Sequence, residues 1–250
     1  MKRPIKGWHV TQAGLAAAMF AAAGGANASL VFLGNADLTG TGLGAVPTVL
    51  TVTSPANTTT ESGSVAWNGT ANVTTGNTIA ITQTRTLAEA GATAASNLRI
   101  VFNADEPGTT ADNSITLNSL VMTIFSPTGT SLFTANLAPT GTAETPITFN
   151  ATQTGIGRAG FVFGLDAAQA AAAQTAAFAG AFQNNRIGLS ASLSNATGGP
   201  ETFFVGNQGG AGGPGGLPPL VGPIPEPGTM AMLATGLLAM GGIARRRKIS

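Results

Sequence analysis

The sequence contains no cysteine and no tyrosine, and its single histidine, His9, stands close to the N-terminus. Without cysteine there is no disulfide and no thiol nucleophile, so stability rests on core packing and at most a bound ion. Without a histidine beyond position 9, the body of the chain has no Ser-His-Asp triad and no ordinary zinc site. Acid-base chemistry there would fall to carboxylates alone. Charge is equally sparse, at 8% of residues. The net charge of +1 hides an uneven distribution, because seven of the eleven Lys and Arg residues lie at the two ends. Only Arg85, Arg99, Arg158 and Arg186 remain in the body, against nine acids before Glu226, a balance of −5. A lysine-free, mildly acidic body has no basic stripe for phosphates, which argues against a nucleic-acid partner.

What is present at the ends is more informative. Lys2, Arg3 and Lys6 precede an apolar segment from Ala13 to Ala23, and Ala26-Asn27-Ala28 places small residues at the two positions that signal peptidase reads. Residues 1–28 are therefore expected to be a signal peptide, with cleavage after Ala28 leaving Ser29 as the first residue; a retained N-terminal anchor is the alternative. The other end reads VGPIPEPGTMAMLATGLLAMGGIARRRKIS. Residues 228–244 carry no charge, and as a helix they would reach about 26 Å, close to the hydrocarbon thickness of a bilayer. Arg245, Arg246, Arg247 and Lys248 follow at once. A cation cluster beside an apolar span stays on the cytoplasmic side, so the preceding chain is expected outside the inner membrane. A buried helix of a globular core is the alternative for this segment.

The order of Pro225-Glu226-Pro227, an apolar span and a basic cluster resembles the PEP-CTERM sorting domain of Gram-negative bacteria. The resemblance covers about the last thirty residues. It implies processing by exosortase, a membrane-embedded, cysteine protease-like enzyme, and delivery of the cargo to the cell surface or the extracellular polysaccharide. It assigns no activity to the body, which is similar only in a general way to the low-charge domains that precede such tails.

The body, residues 29–206, alternates short β-prone runs with Gly, Asn, Thr and Pro punctuation, the pattern of an all-β domain. Strands are expected at 48–53, 64–67, 78–87, 97–103, 114–125, 131–135, 147–150, 160–165, 187–193 and 202–205. That number points to a β-sandwich-like domain of two packed sheets. Within 115–125, Ile115 and Leu117 alternate with polar neighbours, and Leu120, Met122 and Ile124 resume the alternation after Asn118-Ser119. Such a change of phase is the mark of a β-bulge. Ser126-Pro127-Thr128-Gly129 then supplies turn chemistry for a hairpin. One segment breaks the β pattern: an Ala-rich helix is expected from Asp166, acting as N-cap, to about Phe182, with Phe178 and Phe182 on one face. It is expected to cover an end or edge of the sandwich, binding a partner being the alternative. Residues 207–224, rich in Gly and Pro, read as a spacer.

Candidate sites in the body are few. Asp105, Glu106 and Asp112, with Asn113, crowd one loop, and several oxygen ligands on a loop suit Ca²⁺, although the spacing is not that of an EF-hand. A solvated turn is the competing reading. A glycosidase-like pair would have to combine Asp105 or Glu106 with Glu144, Asp166 or Glu201. Trp67, the single Trp of the body, is a carbohydrate-stacking candidate just ahead of Asn68-Gly69, although a core position is the stronger expectation. Phe161-Phe163 and Phe203-Phe204 read as core strand residues. Asn-Xaa-Thr triplets stand at Asn57, Asn68, Asn72, Asn150 and Asn195. The leading expectation is a non-enzymatic exported protein with a structural or adhesive role at the surface or in the exopolysaccharide matrix. A carbohydrate-binding module or a carboxylate-dependent glycoside-acting enzyme is the alternative.

Overall fold

The computed structural model describes residues 29–37, 47–106, 114–137, 146–149 and 159–208. These hold twelve strands: β1 (Ser29–Asp37), β2 (Thr48–Val52), β3 (Thr60–Trp67), β4 (Asn72–Gly76), β5 (Arg85–Thr86), β6 (Leu98–Asn103), β7 (Ile115–Phe125), β8 (Ser131–Leu137), β9 (Ile147–Phe149), β10 (Ala159–Leu165), β11 (Arg186–Ser194) and β12 (Glu201–Asn207). The α-helix among them is α1 (Ala167–Ala177). An all-β body with one Ala-rich helix is therefore what the residues form.

The two separate sheets expected from strand count give way to one continuous ladder in the order β2-β12-β6-β10-β1-β8-β7-β11-β3-β4, with β5 beside β11 and β9 beside β7. Its halves join through a parallel contact of two residue pairs, Ser29 with Asn136 and Leu30 with Leu137. The far ends of the path also meet. Val52 of β2 bridges Thr78, just beyond β4. Around that bridge, Thr53 N–H donates to Asn77 O, Ile79 N–H to Thr51 O and Gln83 N–H to Val49 O. A strongly twisted sheet of this many strands curls, and closing it removes the edges that would otherwise pair with other chains. The result is nearly barrel-shaped.

Apolar residues from both halves share one core. Phe149 of β9 stacks on Phe161 of β10 at 3.8 Å between ring centroids, and Phe102 of β6 stacks on Phe203 of β12 at 4.7 Å. Phe203 and Phe204 are neighbours on one strand, so they face opposite sides. Phe203 belongs to the central cluster, whereas Phe204 is buried on the outer face opposite Val101.

Local signals explain β7 well. In its pairing with β11, Ser192 lies opposite Ser119 and Leu193 opposite Leu117, so Asn118 is the extra residue of a bulge. Asn118 is exposed, while Ile115, Leu117, Leu120, Met122 and Ile124 are all buried. The hairpin to β8 closes as expected, with Gly129 N–H donating to Ser126 O at 3.0 Å and Gly129 at φ +89°. Asp166 caps α1, its Oδ1 accepting from Gln169 N at 2.8 Å. The helix stops at Ala177, earlier than the expected Phe182, which instead opens a 3₁₀ turn with its ring 5.2 Å from that of Phe178. α1 packs against β8 and β10, the strands on either side of β1, and so lies over the weak β1–β8 seam.

The expected strand at 78–87 is corrected. Only Arg85–Thr86 is strand there, and the hairpin partner of β3 is β4, just upstream. Residues 77–83 instead follow the free edge of β2 through turns, which leaves Ile79 and Ile81 exposed. β1 was not expected at all, and β12 runs through Asn207 into what was read as spacer.

Candidate functional site

The acids named from sequence meet different fates. Asp112 and Glu144 lie outside the described residues, and Asp166 is the helix cap. Asp105 is half-buried, and its backbone carbonyl accepts from Gly199 N at 2.9 Å. Glu106 is fully buried, and its carboxylate accepts from Thr197 N at 2.9 and 3.2 Å and from Thr197 Oγ1 at 2.7 Å. It is not alone. Glu61 at the start of β3 and Glu201 at the start of β12 are 3% and 0% exposed and lie at the same closure of the sheet. Glu201 pairs in register with Val52, and Ser54, two residues further along, donates to Glu61 Oε1 at 3.1 Å.

This trio has unusual electrostatics. Glu61 Oε2 and both carboxylate oxygens of Glu201 have no donor, and a buried carboxylate without donors favours its neutral form. Burial, the hydrogen-bonding reach of Glu61, and the charges of Glu61 and Glu106 together push Glu201 up to about 10. Glu201 is thereby held in its neutral form at neutral pH. A glycosidase-like role needs carboxylates reachable by substrate, whereas these three are sealed. Among the described residues no three His, Cys, Asp or Glu side chains are placed to hold a metal ion. Glu61 was the member missed from sequence, since it sits in a Thr- and Ser-rich stretch 140 residues from Glu201 and only strand register unites them.

Trp67, expected in the core, is half-buried at the end of β3. Its Nε1 donates to Pro127 O at 2.8 Å, and the Arg186 guanidinium lies 4.4 Å from the ring centroid. Arg186 Nε donates to Thr84 Oγ1 at 2.8 Å and Nη2 to Thr84 O at 3.0 Å. Thr84 is itself fixed by Asn72, whose Oδ1 accepts from Thr84 N and Oγ1. The strand pairing leaves Trp67 at the rim because the chain turns away at Asn68, whose Oδ1 accepts from Thr70 N and Ala71 N. Of the glycan triplets, Asn68, Asn72 and Asn195 have side-chain hydrogen bonds, Asn57 is exposed in a turn at φ 64°, and Asn150 lies outside the described residues.

The expected signal peptide with Ala26 and Ala28, most of the spacer, Pro225-Glu226-Pro227, the span 228–244 and Arg245 to Lys248 also lie outside the described residues. Among the described residues no helix is long and apolar enough to cross a membrane. The family comparison addresses the tail directly, matching residues 223–248 to the PEP-CTERM protein-sorting motif. The chain carries a PEP-CTERM sorting signal. A PEP-CTERM signal implies an exported protein, a membrane-associated sorting step and processing by exosortase. No curated protein and no solved structure matches the chain.

Proposed function

We propose that this PEP-CTERM protein is a non-enzymatic component of the cell surface or extracellular polysaccharide matrix, with a structural or adhesive role for its β-barrel-like body. The observation that carries the reading is the sorting motif at residues 223–248. The body supports it in two ways. Its described surface lacks histidine and cysteine, and the three acids that cluster are sealed from substrate. Removal of a signal peptide after Ala28 is also compatible with the fold, since β1 begins at Ser29 and would remain whole.

Mass spectrometry of the protein recovered separately from membrane and matrix of its host tests this. The expected result is a mature chain starting at Ser29 and ending near Pro225 to Gly228 in matrix material. An intact tail through Ser250, found only in membrane, would replace the matrix role with that of a single-span surface anchor. A carbohydrate-binding role is the second reading, favoured by the half-exposed Trp67 beside Arg186.

A further inference from the structure

Three arginines have described side chains, and they are used differently. Arg85 pairs with Glu89 at 3.4 Å and also donates to Thr48 O. Arg99 is turned inward onto Gln208 Oε1 and the carbonyls of Ser96 and Leu98. Arg186 has no carboxylate partner among the described residues. A guanidinium has five N–H donors, and Arg186 places two on Thr84. The other three have no acceptor among the described residues.

This guanidinium is also held in place. Pro127 fixes the indole, the indole carries the guanidinium, Thr84 orients its fork, and Asn72 fixes Thr84. Five elements of chain, from β3, β4, the approach to β5, the β7–β8 turn and β11, therefore converge on one cation. A pre-oriented fork loses little rotamer entropy when it meets a planar two-oxygen anion, which is why arginine recognises carboxylates bidentately.

The surroundings narrow the ligand. Exposed hydroxyls and amides of Asn68, Thr70 and Thr128 stand on the two turns that flank the indole. One positive charge beside an indole, hydroxyls and an amide complements a molecule with one carboxylate, several hydroxyls and an apolar C–H face. A phosphate polymer would need a row of cations, which this surface does not have. We propose that Arg186 and Trp67 form a binding site for the carboxylate of a sugar acid within an acidic polysaccharide. The proposal deepens the matrix reading above by naming the polymer class that its body would contact.

Affinity electrophoresis of the full-length protein in mild detergent tests it, with polygalacturonate, neutral dextran and dextran sulfate as probes. The expected result is retardation by polygalacturonate only, weakened at least tenfold in Arg186→Gln and to an intermediate degree in Arg186→Lys, which keeps charge without the fork. Thermal melting of both variants separates binding loss from unfolding, and Arg186→Lys serves if Arg186→Gln fails to fold. Equal retardation of Arg186→Gln, no retardation of the wild type by polygalacturonate, or retardation by dextran sulfate alone would each overturn the site. If the site fails while the processed chain is still recovered from matrix, the matrix reading stands. If polygalacturonate binds but the chain stays unprocessed in membrane, the site stands and the matrix reading falls.

Discussion

A carboxyl that stays neutral up to about pH 10 in the fold but ionises near 4.5 when exposed takes up a proton on folding throughout the interval between. Glu201 is in this position. The unfolded chain binds fewer protons there, so the contribution of this group to stability is complete below about 4.5 and declines as pH rises toward 10. Glu201→Gln removes that dependence, since an amide stays neutral and retains an N–H to donate to Glu61. The variant is expected to gain up to about 5 kcal/mol over the wild type at pH 8 and little at pH 4. Urea denaturation of both proteins at the two pH values measures this. An unchanged loss between pH 4 and pH 8 in Glu201→Gln would place the proton elsewhere. The sequence made Glu106 and Glu201 visible as isolated acids, but Glu61, the partner that matters most to Glu201, became recognisable only when β3 and β12 had been placed at the same closure.

Elements whose signals are local were readable before folding. The bulge in β7 showed as a change of phase at Asn118-Ser119, and register puts the extra residue at Asn118. The cap at Asp166 and the Ser126–Gly129 turn were readable for the same reason, each being decided within four residues. Residues 78–87 misled because Ile79 and Ile81 alternate as in a half-buried strand, yet that segment meets β2 through turns and leaves both side chains exposed. Which edge a segment meets is a long-range fact. The bulge makes a strong prediction, because the side-chain period of a strand is two. Without Asn118, Leu117 would stand two positions from Leu120 and still lie opposite Leu193, so Ile115, Leu117, Leu120, Met122 and Ile124 would share one face of a regular strand. Deleting Asn118 is therefore expected to cost only about 1 kcal/mol, seen as a cooperative thermal transition with a small shift. Collapse of that transition would show that the bend the bulge gives to β7 is needed to curl the sheet.

At the scale of the whole molecule, the chain must keep its ladder closed after export without any disulfide, and one close approach in that closure is at Gly63. It lies on β3 facing the end of β2, and a Cβ added there would stand 2.6 Å from Thr78 Cγ2 and 2.9 Å from Val52 Cγ1. Those two residues form the bridge that brings the ends of the path together. No composition rule could have marked this glycine, because its φ is ordinary and its reason lies in a strand and a turn on the other side of the seam. Gly63→Ala should therefore force Thr78 and Val52 apart, cost about 1–3 kcal/mol as overpacking does, and weaken the bonds that cover the edge of β2. An uncovered edge is a template for pairing between chains, so the variant should also aggregate at a lower temperature than the wild type. Thr78→Ser removes the methyl that the new Cβ meets while keeping the hydroxyl. Combined with Gly63→Ala it is expected to recover part of both losses, giving a coupling of about 1 kcal/mol in a double-mutant cycle. Thermal denaturation followed together with light scattering reads both quantities at once. Strict additivity of the two substitutions would show that the seam has room to spare, and that closure depends instead on the β1–β8 contact and the helix lying over it.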